Sequence, residues 1–136
     1  RLDNLQAKIA LIKLQHLDKM NERFIEIGEY YHSHLKDLVT VPTLDQDLKC
    51  VYHNFVIRVD KRDELQKYML DNGVESKIHY PIPIHLQECA QNLNYSIGSF
   101  LNAEKFSKQI LSLPIYPELR DEEVEQVVKV VRNFFN

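Results

Sequence analysis

The sequence predicts an α+β domain, a small sheet covered by helices and entered through one long helix. Three observations carry this. Apolar residues recur at three- and four-residue spacing through the first 38 positions. Short later runs are rich in β-branched and aromatic residues. The elements follow one another as α-β-α-β-loop-α-β-α, with no internal repeat and no low-complexity linker.

The first element is the clearest. Leu5, Ile9, Ile12, His16, Met20, Phe24, Ile27, Tyr31, Leu35 and Leu38 form one line, nine of the ten apolar. Lys8, Lys19, Asn21, Glu22, Glu26, Glu29 and Lys36 form the opposite, solvated line. Gly28 costs about 1 kcal/mol relative to Ala in mid-helix and is expected to mark a bend. Pro42 stops the helix, because proline disfavours helical backbone in the residue before it. A helix over residues 2–38 would run roughly 55 Å. A compact globule of this length is only about 37 Å across. The helix is therefore expected to overhang its domain and to pack on a partner or on a further part of a larger protein.

The run CVYHNFVIRV at 50–59 reads as a strand. Asp60 is placed to cap a helix over 61–72, with Leu65, Tyr68 and Met69 inward and Gly73 as terminator. Residues 74–78 read as a second short strand. Prolines 81 and 83 exclude regular helix or central strand from 79–85. A short helix is expected over 86–93 and a loop over 94–99. Asn102 is placed to cap a helix reaching Leu111, followed by an extended segment over 112–116. Asp121 opens a last helix, with Val124, Val127, Val128, Val131, Phe134 and Phe135 inward.

Composition excludes more than it identifies. The chain has 136 residues, 44% hydrophobic and 27% charged, with a formal net charge of −3, which are ordinary values for a globular domain. There is no basic excess to neutralise phosphates, so no nucleic-acid partner is expected. No apolar run nears the ~18–20 residues a membrane span needs, and no membrane partner is expected either. Cys50 and Cys89 are too few for a disulfide scaffold, so a cytoplasmic location with free thiols is the simpler expectation.

Most chemistry-bearing patterns are missing. His32 and His34 lie about 200° apart on a helix and cannot share a metal there. Neither cysteine belongs to a set of three or four closely spaced ligands, so no metal site is expected. There is no GxSxG elbow, and Gly28, Gly73 and Gly98 are too scattered for a phosphate loop. The segment KIHYPIPIHLQ at 77–87 is the exception. It gathers Lys77, His79, Tyr80, His85 and Gln87 on a chain stiffened by two prolines. Irregular segments on a rigid scaffold are where binding groups collect. On the residues alone, a binding loop and a turn whose side chains satisfy local backbone groups are equally open.

Four stretches, in order and spanning nearly the whole chain, resemble the C-terminal part of the DegT/StrS family of pyridoxal-phosphate-dependent sugar-nucleotide aminotransferases. They are RLDNLQAKIA at 1–10, YHNFVIR at 52–58, HYPIPIHLQ at 79–87, and Ala103-Glu104 followed by LSLPIYPEL at 111–119. Leu101 departs from the pattern, standing where the family often has proline.

The resemblance implies the small C-terminal domain of the type I aminotransferase fold, with 1–40 as the connecting helix and 50–136 as the α+β lobe. The large cofactor-binding domain would lie outside the sequence. It implies a whole enzyme that uses pyridoxal 5′-phosphate to move an amino group from glutamate to a nucleotide-linked keto-sugar, for polysaccharide or amino-sugar biosynthesis. It also implies a homodimer with shared active sites. The reactive lysine would lie elsewhere, leaving this part inactive alone and without bound cofactor. Carried over residue by residue, Arg1 would lie near the cofactor, and His79 and Tyr80 would face the substrate, with Lys77 and His85 as further candidates. The alternative is a free-standing, non-catalytic binding or dimerisation module of the same fold.

Overall fold

The computed structural model describes residues 3–43 and 47–136. Its helical lead is broken. Helix α1 spans Asn4–Leu14 and α2 spans Leu17–Leu35, where one uninterrupted helix to about Leu38 was expected. At the junction the Gln15 amide donates to the Ile12 carbonyl (3.3 Å) and the His16 amide to that of Lys13 (3.0 Å). These three-residue closures tighten the turn and interrupt the α-helical ladder. Asp3 caps α1, its Oδ1 accepting from the Gln6 amide at 2.8 Å. Nothing in α1 is buried, and Leu5, at 72% exposure, leads a strip of uncovered apolar side chains through Leu14.

Gly28 does not interrupt the helix. It sits inside α2, whose buried face is Ile27, Gly28, Tyr31 and Leu35, and the Tyr52 ring packs directly on it. The absent side chain makes room for an aromatic ring.

The sheet is smaller than expected. Strand β1 (Phe55–Arg58) pairs antiparallel with β2 (Ile110–Leu113), in the register Phe55 to Leu113 and Arg58 to Ile110. Single-residue bridges widen it, Thr40 to Arg58 and Lys77 to Ser112. The run at 50–59 yields only these four strand residues because Tyr52 adopts φ +45°, which breaks extended pairing before Phe55. The expected strand at 74–78 is reduced to the Lys77 bridge. Gly73, at φ +77°, terminates the preceding helix, and the Val74 amide returns to the Met69 carbonyl at 2.8 Å.

Helix α3 (Arg62–Asp71) starts without a side-chain cap. Asp60 is occupied elsewhere, accepting from Gln109 Nε2 at 2.6 Å. Arg62 is buried, and its guanidinium donates to the Ser107 and Ile110 carbonyls, each at 3.2 Å. It thereby satisfies carbonyls at the end of α4 (Leu101–Gln109). Asn102 does not cap α4; Phe100 holds that position. Residues 86–93 form short 3₁₀ turns, Ile84–Leu86 and Glu88–Leu93, rather than an α-helix.

Helix α5 (Asp121–Phe135) buries Val124, Val127, Val128, Val130 and Val131. Phe135 lies exposed, contrary to expectation, while Phe134 is half-buried against Tyr68. Arg23 of α2 reaches the Leu119 carbonyl at 2.7 Å and Asp121 at 2.6 Å, pinning the start of α5. At its far end Arg132 donates to the His34 carbonyl at 2.9 Å. The core is therefore α2, α3 and α5 closed around β1 and β2, with Tyr31, Phe55, Ile57, Leu65 and Leu111 fully buried. Burial raises the Tyr31 hydroxyl above its ordinary pKa, and that hydroxyl donates to the Pro114 carbonyl at 2.8 Å. Among the described residues no helix is long and apolar enough to cross a membrane.

Candidate functional site

The segment singled out in the sequence runs along the sheet edge and then leaves it. Lys77 is its last sheet residue, exchanging backbone hydrogen bonds with Ser112 at 3.1 and 2.7 Å. His79 stays attached to the same residue, its Nδ1 2.9 Å from Ser112 Oγ. Tyr80 then projects outward, 72% exposed. Pro81 and Pro83 hold their own φ angles fixed, and the chain closes into the Ile84–Leu86 turn, the Leu86 amide donating to the Pro83 carbonyl at 2.9 Å. Gln87 Nε2 ties back to the Ile82 carbonyl at 3.2 Å.

The candidate residues do not converge on one cavity. Lys77 and His79 border a cavity of about 660 Å³, together with Asn54, Ser112 and Gln126. Tyr80 borders a separate apolar groove of about 500 Å³ with Ile82, Tyr95, Phe100 and Phe106. His85, a further candidate for the substrate, lines the same groove as Tyr80 but is only 8% exposed. Its Nε2 lies 3.0 Å from Glu104 Oε1 and its ring packs edge-on against Phe100. Arg1 lies outside the described residues.

Sequence reasoning gave Glu104 no role, yet it organises this corner. Its carboxylate accepts from the Gly98 amide at 2.9 Å, from the Phe100 amide at 3.2 Å and from the His85 ring. A carboxylate is acceptor-only, so His85 must donate from Nε2. The Gly98 amide foremost, then the Phe100 amide and the His85 ring, holds the Glu104 carboxyl below the usual carboxylate range. A lowered native pKa contributes stability that is complete above the ordinary carboxylate value, about 4.3. That contribution is lost as pH falls through the lowered native value. Glu104→Gln is therefore expected to flatten the acid-side fall in melting temperature. Thermal melts between pH 6 and pH 2 (~pH units spanning the carboxylate range) check this, and identical acid limbs would contradict it.

Chemically, the arrangement offers a stiff wall carrying an exposed phenol and an imidazole beside an ammonium. Lysines that form Schiff bases work desolvated or beside another cation. Every lysine among the described residues is exposed, and the Lys77 ammonium lies 3.6 Å from Glu75.

This antiparallel pair backed by helices matches part of larger aminotransferases of known structure. The chain matches S. venezuelae DesV, solved in complex with a ketimine intermediate, with a TM-score of 0.95 at 36% identity over 98% of its length. It belongs to the DegT/DnrJ/EryC1/StrS aminotransferase family, whose model matches residues 1–132. A dTDP-3-amino-3,6-dideoxy-alpha-D-galactopyranose transaminase from Aneurinibacillus thermoaerophilus is 41% identical over 98% of the chain. The erythromycin biosynthesis sensory transduction protein EryC1 of Saccharopolyspora erythraea is 39% identical over 97%. The chain spans only 37% of the length of each of these three proteins.

Proposed function

We propose that this chain is the small C-terminal lobe of a pyridoxal-phosphate-dependent aminotransferase that transfers an amino group from glutamate to a nucleotide-linked keto-sugar. Residues 1–40 connect it to the cofactor-binding part, and 50–136 form the lobe itself. The observation that carries this reading is the fold match across 98% of the chain to S. venezuelae DesV, solved in complex with a ketimine intermediate. The cofactor supplies the amine-to-aldehyde chemistry. This lobe supplies a wall of the substrate pocket, with His79, Tyr80 and Lys77 toward the substrate. The uncovered strip of α1 supports a homodimer or an interdomain contact that buries it. The exposed thiols of Cys50 and Cys89 support a reducing, cytoplasmic setting.

Two substitutions in the intact native protein test the wall. Tyr80→Ala removes a side chain that is 72% exposed, so its effect on folding should stay within about 0.5 kcal/mol. The kcat/KM for a keto-sugar nucleotide should fall by about tenfold or more, a loss of roughly 1.4 kcal/mol of transition-state stabilisation. His79→Ala should also lower turnover, with a larger stability cost because its Ser112 partner is buried. Steady-state kinetics beside thermal melts separate the two effects. Unchanged kinetics in both variants would return the segment to a purely structural role.

A further inference from the structure

The loop that carries Tyr80 is fixed at two points. One is His79 on Ser112, at the sheet edge. The other is His85 on Glu104, a residue of α4. Between them lie five residues, two of them prolines, so fixing both ends leaves the intervening backbone few conformations. The second anchor is elaborate. Glu104 is only 13% exposed in its side chain, and its carboxylate accepts from two backbone amides and a ring nitrogen. Little of its side chain remains exposed for contact with a ligand. The residues it does touch, Phe100 and His85, line the groove that Tyr80 borders.

We propose that Glu104 is a positioning residue: by joining His85 to the Gly98 and Phe100 amides it locks two loops together and holds Tyr80 where substrate meets it. The proposal rests on the aminotransferase reading for what Tyr80 does, and on the hydrogen bonds alone for the lock. Gln87 reinforces the same loop internally through the Ile82 carbonyl. Ser107 Oγ, donating to the Glu104 carbonyl at 3.0 Å, ties the residue to its own helix.

Glu104→Gln in the intact native protein is the test. The side chain keeps its shape, but either orientation of the amide places an N–H against a backbone N–H or the His85 donor. Hydrogen exchange at the Gly98 and Phe100 amides should accelerate by about tenfold, the loss expected for charge-assisted bonds. The KM for a keto-sugar nucleotide should rise by about tenfold with kcat held within about twofold, the pattern of lost uniform binding. His85→Gln should raise KM in the same way, and the double variant should be no worse than either single one, because all three break the same lock. A purely structural glutamate would lower the melting temperature and leave KM unchanged, and that result overturns the proposal. If the wild-type protein aminates no keto-sugar nucleotide, the functional reading falls. Exchange at Gly98 and Phe100 then decides the lock alone, with unchanged protection refuting it.

Discussion

Phe55→Ala is expected to destabilise the protein by about 3–5 kcal/mol, the range for deleting a buried aromatic side chain. Phe55 has no exposed surface. Its ring meets Tyr31 edge-on at 5.3 Å and Tyr52 at 5.7 Å, and its backbone pairs β1 with Leu113 of β2. The contacts therefore join α2, the loop before β1 and the sheet at one side chain. The surrounding rings are held from several sides and have little freedom to collapse into the space. Whole domains are stable by only about 5–15 kcal/mol, so the variant should lose a large share of its folding free energy. Denaturant unfolding measures this through the midpoint at constant slope. A loss below about 1 kcal/mol would mean that this corner repacks, contrary to the rigidity argued here.

Gly28→Ala is the second large effect, and magnitudes decide its sign. Helix propensity alone favours alanine by about 1 kcal/mol. Against this, an added Cβ would lie 2.7 Å from Cγ and Cε2 of Tyr52 and closer still to Cδ2. Tyr52 cannot withdraw easily, because it is 4% exposed and its backbone holds φ +45°. Overpacking of this kind costs about 1–3 kcal/mol and occasionally more. We expect a net loss of about 2 kcal/mol. Combining the change with Tyr52→Ala should reverse its sign, since only propensity then remains. A double-mutant cycle on unfolding free energies reads this coupling directly. Additive effects would show that the ring does not obstruct the site.

The legible parts of the molecule were those that local chemistry determines. The faces of α2 and α5 follow from three- and four-residue spacing, and Gly73 from the need for positive φ after a helix. The 77–87 segment stood out because two prolines deny it regular structure. The rest depended on partners distant in sequence. Asp60 looks like a helix cap until Gln109, 49 residues on, takes its carboxylate. Asn102 has the right chemistry to cap α4, but Glu104 reaches back to the Phe100 amide instead. His85 resembled a ligand-facing imidazole, and only the fold reveals the carboxylate against which it is buried. The run before Phe55 carries strand propensity throughout, and its failure comes from the packing of Tyr52 against Gly28.

The central claim is that this lobe walls the substrate pocket of a sugar aminotransferase. The most direct test loads the intact native protein with pyridoxamine phosphate and mixes it with a panel of keto-sugar nucleotides. Absorbance reports conversion of the amine form of the cofactor to its aldehyde form. We predict conversion by at least one keto-sugar nucleotide, weakened in Tyr80→Ala. Conversion by 2-oxoglutarate with none by any keto-sugar nucleotide would contradict the account.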